Sequence, residues 1–357
     1  RCYLKTGLKV YRLIEQSYGP SNLLTDLAWY LLRDTDTGAG NIVSSELIDQ
    51  AAMTTTGRYL RANRLFFDDA ISEPINIRSW LAQTAPSVLC FTSLKNGKFS
   101  IEPALPYDSS YKIDANGAIK ISAMFTEGNM IENSFEVTWL ELEQRKMFQA
   151  AVAYRTSESN RLPEQKTVVV RYRSDGGNVP VEEFTFNHIT GDEHAVYAAR
   201  YFLALRKHIT HNITFKTLPW GLELAPGAYI RVSTQSSPYN PANNGIVKED
   251  GTVVAVSEMS NGTYDVYYWE RSLDYVQRGN LTISNGIATN MRNSVFSVIN
   301  TNAASEVYQI EALDVDADGI VTVKASNYPI DSSGRSLIAR DVLDVAGVFE
   351  IIGGSLN

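Results

Sequence analysis

A carboxylate-rich turn near the C-terminus is the pattern in this sequence that comes closest to a metal site. The run Asp314-Val315-Asp316-Ala317-Asp318-Gly319 has the opening of an EF-hand loop, in which alternate carboxylates converge on one calcium ion. The twelfth position of such a loop carries a bidentate Glu, and here it is Ala325. Because strand-like residues flank the run on both sides, the sequence predicts a hairpin turn rather than a calcium site.

The histidines are the residues that would suit zinc. His188, His194, His208 and His211 are close together in the chain, but no Cys is near them and the spacing signatures of tetrahedral sites are absent. Ordinary surface or helix-terminal positions account for them better. We expect no metal ligand and no cofactor.

Catalysis by a nucleophile or by paired acids has little support. A Gly-x-Ser-x-Gly elbow, a P-loop and a dinucleotide fingerprint are all missing from the sequence. The pairs Asp68-Asp69 and Glu182-Glu183 could suggest a glycosidase, but adjacent residues on a strand point to opposite faces. The sequence therefore predicts no catalytic residue and no cofactor-binding residue, and we expect that the protein is not an enzyme.

A row of aromatic residues could instead form a platform that stacks on sugars. These residues are Tyr264, Tyr267, Tyr268, Trp269 and Tyr275. Alternate residues of a strand face opposite sides, so half of the rings would be buried, and core packing is the favoured interpretation.

The elements that carry these residues are mainly strands. Nineteen Tyr, 23 Gly and a hydrophobic fraction of 44% favour a core-forming, β-rich chain. Strands are predicted at Ala118–Phe125, Ser134–Leu140, Thr167–Arg173, Glu182–Phe186, Ile213–Leu218, Ala228–Ser233, Gly251–Ser257 and Thr263–Trp269. Asp192–His208 is predicted to be a helix, Leu281–Ala304 a loop or weak strands, Val307–Leu313 and Ile320–Ala325 a hairpin, and Val348–Ile352 an edge strand.

The first third of the chain has a mixed pattern. Helical spacing predicts a helix at Leu23–Leu32, a second from Ser44 or Ser45 that buries Leu47, Ile48, Ala51 and Ala52, and a third after Ser72 with Pro74 in its first turn. Asn96-Gly97 supplies both left-handed residues of a type I′ turn, which predicts a hairpin. We expect an α+β, predominantly β fold. It would comprise an α/β domain at 1–115, a β-barrel or sandwich domain at 116–275 with helix 192–208, and a β-rich segment at 276–357.

Charge and length limit the class of protein. The net charge of -8 argues against a dedicated nucleic-acid binder, since such proteins neutralise phosphates with clustered Lys and Arg. Cys2 and Cys90 are too few for a disulfide framework, and no apolar run approaches the roughly 18 residues of a membrane span. The chain lacks an initiator Met, so we expect it to begin inside a longer polypeptide.

The order of several segments resembles the tail tip and baseplate hub proteins of long-tailed bacteriophages, the family of the host-specificity protein J. Similar blocks are Pro20–Leu32 followed by Thr37–Gly40, Ile48–Ala51, Asn63–Phe67, the Asn96-Gly97 hairpin, Ala198–His208 with Asn212–Lys216, Gly221–Val232, and Val307–Leu313 with Asp318–Pro329. Ala228 stands where the family usually has Asp. Together these blocks cover most of residues 20–330 in the family's order.

The resemblance implies a structural virion protein with a tail-tube-like β domain around residues 118–270. Three copies would form a homotrimeric ring that closes the tail tube and opens to let DNA pass without sequence-specific binding. Its expected partners are tail tube or distal tail proteins, the tape-measure protein, and tail fibre or tip proteins that serve host attachment. The implied location is the virion tail tip, assembled in the bacterial host cytoplasm. The alternatives are a virion-associated glycan-cleaving enzyme and a carbohydrate-binding β-module.

Overall fold

The computed structural model describes residues 7–71, 73–156, 164–175, 179–234, 243–299 and 306–352. The fold is α+β and predominantly β, as predicted, with 37% of the described residues in strands and 23% in helices. The chain divides into two compact units. The first unit contains 1–117, 142–208 and 335–357, and the second contains 118–141 and 209–334. Helix 192–208 therefore belongs to the first unit, and the consecutive domains at 1–115, 116–275 and 276–357 stay a prediction.

The helices and strands are numbered along the chain. The helices are α1 (Leu24–Arg33), α2 (Gln50–Ala62), α3 (Ile77–Thr84), α4 (Leu142–Arg145), α5 (Asp192–His208) and α6 (Leu337–Val342). The strands are β1 (Lys9–Arg12), β2 (Ser17–Pro20), β3 (Cys90–Lys95), β4 (Lys98–Pro103), β5 (Ala123–Thr126), β6 (Glu136–Trp139), β7 (Gln149–Arg155), β8 (Gln165–Tyr172), β9 (Val181–Phe186), β10 (His211–Thr217), β11 (Tyr229–Ser233), β12 (Asn244–Val247), β13 (Val253–Ala255), β14 (Gly262–Trp269), β15 (Gln277–Ser284), β16 (Ile287–Ala288), β17 (Ser294–Val298), β18 (Val307–Val315), β19 (Val321–Asn327) and β20 (Phe349–Ile352).

The first unit contains a four-stranded sheet in the order β20-β8-β7-β9. Strand β7 runs antiparallel to β8 and parallel to β9, and β20 is an edge strand as predicted. The apolar face of α5 shares one core with this sheet, including Ala195, Ala199 and Leu203. The apolar face of this helix is thus the surface that it buries.

Two of the N-terminal helices begin later than predicted. Ser45–Leu47 forms only a short 3-10 turn, and α2 starts at Gln50 because the Asp49 side chain accepts a hydrogen bond from the Ala52 amide at 2.9 Å. The buried face of α2 therefore carries Met53, Thr56, Tyr59 and Leu60 instead of Ala51 and Ala52. Helix α3 likewise starts after Asn76, whose side-chain oxygen accepts a hydrogen bond from the Ser79 amide at 3.1 Å. Pro74 therefore lies outside the helix. Ser72 lies outside the described residues.

The predicted hairpin is strands β3 and β4. Its turn residues Asn96 and Gly97 have φ angles of 52° and 73°, the left-handed values that a type I′ turn requires. Lys95 and Lys98 close the turn as a cross-strand pair.

The second unit contains two six-stranded sheets. The first has the order β5-β11-β18-β19-β10-β6 and curves as a half-barrel. Strands β18 and β19 form the hairpin predicted near the C-terminus. Across the whole sheet, alternate residues of the strands supply the buried core, such as Ile213 and Phe215 in β10, Ile230 in β11 and Val323 in β19.

The other sheet of this unit forms a nearly closed barrel. Its order is β13-β12-β17-β14-β15-β16, and a bridge between Thr252 and Ile287 brings the two end strands together. Of the two alternatives for Leu281–Ala304, a loop or weak strands, the structure has strands up to Val298, while residues 300–304 lie outside the described residues. Asn285 and Gly286, with φ angles of 54° and 74°, turn β15 into β16 in the same way as Asn96 and Gly97.

Several elements had no counterpart in the sequence analysis, namely β1, β2, α4, β7, β12 and α6. Strand β7 lies at the centre of the four-stranded sheet, and α6 begins where the Ser336 hydroxyl accepts a hydrogen bond from the Ala339 amide at 3.1 Å. Within the described ranges, none of the helices combines the length and the apolar character needed to span a membrane.

Candidate functional site

The carboxylate-rich turn is a hairpin turn, as predicted. Asp316 accepts hydrogen bonds from the amides of Asp318 and Ile320 at 3.0 and 2.9 Å, and Asp314 pairs with Lys324 at 2.8 Å. The carboxylates therefore satisfy the turn and the neighbouring strand instead of converging on one point. Over the part of the chain that is described, no group of three or more His, Cys, Asp or Glu side chains is arranged to hold a metal ion.

Two of the histidines meet at Ser87 in the first unit. The Ser87 hydroxyl lies 2.7 Å from Nε2 of His188, and Nε2 of His194 lies 2.9 Å from the Ser87 carbonyl oxygen. Burial lowers the pKa of each imidazole to about 4, so both rings are neutral at pH 7. Sequence reasoning treated these residues as ordinary histidines and missed their common partner.

The contact between Ser87 and His188 does not activate a nucleophile. The Ser87 hydroxyl donates its proton to the Thr84 carbonyl oxygen at 2.7 Å, so His188 must donate to the serine oxygen rather than accept from it. Ser87 is also only 1% exposed. A catalytic serine needs a base that takes its proton and a path for the substrate, and this pair offers neither. It instead joins the turn at Ser87 to the segment that precedes α5, while the contact of His194 with the Ser87 carbonyl joins α5 itself to that turn.

A cavity of about 200 Å³ lies beside His188. Phe67 stacks on the His188 ring at 4.9 Å and meets Trp80 edge to face at 5.5 Å, and Asp69 and Glu73 add carboxylates to the lining. Asp69 is already paired with Arg155 at 3.4 Å. Burial lowers the pKa of His188 to about 4, so the imidazole that lines this cavity is neutral at pH 7.

His208 belongs to a buried network at the end of α5. Its Nε2 lies 2.8 Å from Oδ2 of Asp341, and the same oxygen accepts the Tyr172 hydroxyl at 2.6 Å. Burial alone would raise the pKa of Asp341, but the hydrogen bonds from His208 and Tyr172 hold it below the usual value. This network joins α5, β8 and α6, and its polar atoms are used in packing.

His211 lies in the second unit and is separate from the other histidines. Its two ring nitrogens contact the hydroxyls of Thr210 at 2.9 Å and Tyr308 at 3.1 Å, and the ring packs against Trp139. The interpretation of the histidines as surface or helix-terminal residues is therefore wrong for His194 and His211, which are buried, and holds for His208 at the end of α5.

The carboxylate pairs do not face each other across a cleft. Asp68 accepts the Thr190 hydroxyl at 2.6 Å, while Asp69 binds Arg155. Glu182 pairs with Arg206 at 3.1 Å, and its neighbour Glu183 is exposed on the other face of β9.

The aromatic row is split between two faces of β14, as the alternation predicts. Tyr264 and Tyr268 pack against the core of the barrel, whereas Tyr267 and Trp269 pack against the core of the half-barrel sheet. Tyr275 is more exposed and carries Lys120 over its ring at 5.1 Å. These rings therefore do not form one surface for a sugar.

Arg231 in the second unit is a buried charge that the sequence analysis did not single out. It is 4% exposed, and its guanidinium carbon lies 3.8 Å from the centre of the Tyr267 ring. Burial lowers the pKa of this guanidinium to about 10. The only sequence feature that could have indicated a buried charge is the single Arg in the apolar run Tyr229-Ile230-Arg231-Val232. An exposed Arg on a strand would give the same pattern.

Comparison with known proteins gives structural matches only. No protein-family model and no curated protein matches the sequence. The solved structures that the chain matches include one described as the virion of a native gene transfer agent particle, with 11% identity, a TM-score of 0.37 and coverage of 78% of this chain and 47% of that one.

Two further matches are crystal structures of tail proteins. The tail protein from Neisseria meningitidis MC58 has 9% identity, a TM-score of 0.33 and coverage of 73% of this chain and 58% of that one. The 43 kDa tail protein of prophage MuSo2 from Shewanella oneidensis has 9% identity, a TM-score of 0.30 and coverage of 72% and 56%. The chain thus spans about half the length of these structures. At TM-scores below 0.5 the likenesses carry no argument about function.

Proposed function

We propose that the protein is a structural component of a phage tail, a subunit of the tail tip or baseplate hub. Three copies would form a ring around the tail axis that closes the distal end of the tube, connects it to the tip or fibres, and opens for DNA ejection. Its place would be the virion, after assembly in the cytoplasm of the bacterial host.

The order of the resembling segments is the observation that carries this proposal. The block at Pro20–Leu32 contains α1, and the glycines at Gly38 and Gly40 follow in a turn that hydrogen-bonds back to the end of α1. Later blocks correspond to the β3-β4 hairpin, α5 with β10, the turn into β11, and the β18-β19 hairpin. Each block is an element of the type that the resemblance implies, in the same order, which supports the proposal more strongly than any single motif.

The chemistry of the described residues is consistent with a structural role. The carboxylates and histidines that sequence reasoning singled out are used in turns, ion pairs and buried networks. The net charge of -8 also suits a conduit through which DNA passes, because a basic lumen would bind the phosphates and slow the passage of the DNA.

The trimer follows from closure of a ring. Head-to-tail contacts close only when the same two different faces meet in every copy, and a terminating ring must match the symmetry of the tube below it. The resemblance implies hexameric tube rings and two tube-like domains per hub subunit, so three subunits would supply six. We propose that one such domain is in this chain, around residues 118–270.

The location can be tested on assembled particles. An antibody raised against the purified chain should label intact tails at the distal end, on the tube axis, in electron micrographs. Labelling of the capsid, of the sides of the tail or of fibre ends would contradict the proposal.

A further inference from the structure

Arg231 occupies an interior position where a charged residue is costly. It lies in β11, between β5 and β18 in the half-barrel sheet, and its neighbours Ile230 and Val232 are part of the apolar core. Because successive residues of a strand alternate, Arg231 and Ser233 project from the opposite face of β11.

That face of β11 meets a row of polar side chains from the barrel sheet. Asn244, Ser297 and Tyr267 are directly opposite one another across β12, β17 and β14, so their side chains share one face. The Ser233 hydroxyl lies 2.8 Å from the Ser297 hydroxyl, and the Arg231 guanidinium lies over the Tyr267 ring. We call Asn244, Ser297 and Tyr267 the polar row.

Two donors of the guanidinium have no acceptor among the described residues. Both Nε and Nη1 of Arg231 are fully buried and lack a hydrogen-bond partner. Buried N–H groups of a charged side chain nearly always have acceptors, because leaving them unpaired costs the full desolvation penalty. Stacking on Tyr267 covers one face of the guanidinium but supplies no acceptor to its N–H edges, which lie in the plane of the group.

In the described part of the chain, no carboxylate pairs with the charge of Arg231. Asp265, on the same face of β14 as Tyr267, pairs with Arg278 at 2.6 Å, and Glu306 accepts the Tyr308 hydroxyl at 2.8 Å. The segments 235–242 and 300–305 contain no Asp or Glu in their sequences.

We propose that Arg231 and the polar row bind a small monovalent anion of the size of chloride. The ion would accept hydrogen bonds at the N–H edges of the guanidinium, beside its stacked face. A small ion is favoured because Arg231 is 4% exposed, which leaves no approach for an acidic side chain of another protein. A monovalent ion is favoured because it neutralises one guanidinium without burying surplus negative charge.

The test is thermal unfolding of the full chain at constant ionic strength, with sodium chloride replacing sodium gluconate. A saturable rise in the unfolding midpoint of about 2–4 °C is expected, since a ligand that binds only the folded state stabilises it by mass action. Arg231→Met should abolish the chloride dependence. Arg278→Met is the matched control, because it removes an exposed guanidinium from the same face, and it should keep the dependence.

Absence of a chloride dependence in the unmodified chain would overturn the proposal, as would an equal dependence in Arg231→Met. The first result would point to buried water as the acceptor. If Arg231→Met does not fold, crystals of the unmodified protein soaked in bromide decide the matter. An anomalous peak within hydrogen-bonding distance of Nε or Nη1 is expected, and its absence at full bromide exchange would overturn the proposal.

Discussion

His188 and His194 are the residues whose protonation should affect stability most directly. Both are neutral when folded because burial lowers the pKa of each ring to about 4, whereas an imidazole in the unfolded chain titrates near 6.5. Between these values the unfolded state binds more protons, so the free energy of unfolding rises with pH. Acidification from about pH 6.5 to pH 4 should therefore remove on the order of 2 kcal/mol of stability per imidazole.

Urea unfolding at a series of pH values measures this effect. Relative to the unmodified chain, the double variant His188→Gln with His194→Gln should have a flatter dependence of the unfolding free energy between pH 4 and 6.5. The comparison separates the effect of the two imidazoles on the unfolding free energy from the effect of carboxylates that titrate in the same pH range. Identical slopes of unfolding free energy against pH for the two proteins would contradict the lowered pKa values of His188 and His194.

At the residue scale, the sequence identifies side chains but not their partners. The rejection of calcium at Asp314–Gly319 rested on Ala325 and on the flanking strands, both of which are local features, and the turn was predicted correctly. The contact of Ser87 with His188 and His194 joins residues about a hundred positions apart, and the stacking of Arg231 on Tyr267 joins two sheets. Such contacts depend on tertiary packing, for which a single sequence has no local signal.

The Asn-Gly turns are the elements whose contribution to stability can be tested most directly. Gly97 has a φ of 73°, and a Cβ at this position would meet no atom within 4 Å. Substitution Gly97→Ala should therefore destabilise the protein through backbone strain alone, by about 1 kcal/mol. Gly191→Ala is the control, because the added Cβ would lie at an ordinary 3.8 Å from His194 and the backbone there is not left-handed.

Denaturant midpoints of these two variants give the comparison. The Gly97→Ala variant should unfold at a lower urea concentration than Gly191→Ala, with an unchanged slope. An equal effect at both positions would mean that the left-handed turn does not limit the stability of the hairpin.

At the element scale, errors in the sequence analysis have identifiable causes. The polar composition of Leu281–Ala304 left a loop or weak strands as the expectation. Asn285-Gly286 is nevertheless the same turn sequence that predicted the hairpin at Asn96-Gly97. Helix α2 began later than predicted because the Asp49 cap decided its start, while Ser44 capped only a short 3-10 turn. Strands with clear alternation, such as β10, β14 and β18, were predicted to within a few residues.

The molecule as a whole should lack hydrolytic activity. The purified chain is expected to release no sugar or peptide fragments from peptidoglycan or capsular polysaccharide, because its carboxylate pairs are used in ion pairs and hydrogen bonds. A lysozyme control in the same assay sets the detection limit. Hydrolysis that is abolished by Asp69→Asn or Glu73→Gln would instead identify the cavity beside His188 as a glycan-cleaving site.

At this largest scale, the predominance of β structure was predictable from composition and alternation. The grouping of 142–208 and 335–357 with the N-terminal residues was not, because it depends on contacts between distant segments. Assembly is harder still to predict from the sequence, because ring closure depends on which two faces of the subunit meet.

The copy number around the tail axis is the measurement that tests the hub proposal most directly. A three-dimensional reconstruction of the assembled particle, computed without imposed symmetry at the distal end of the tail, should contain three copies of this fold related by a threefold axis along the tube. Finding one, two or six copies, or finding the chain away from that axis, would contradict the proposal.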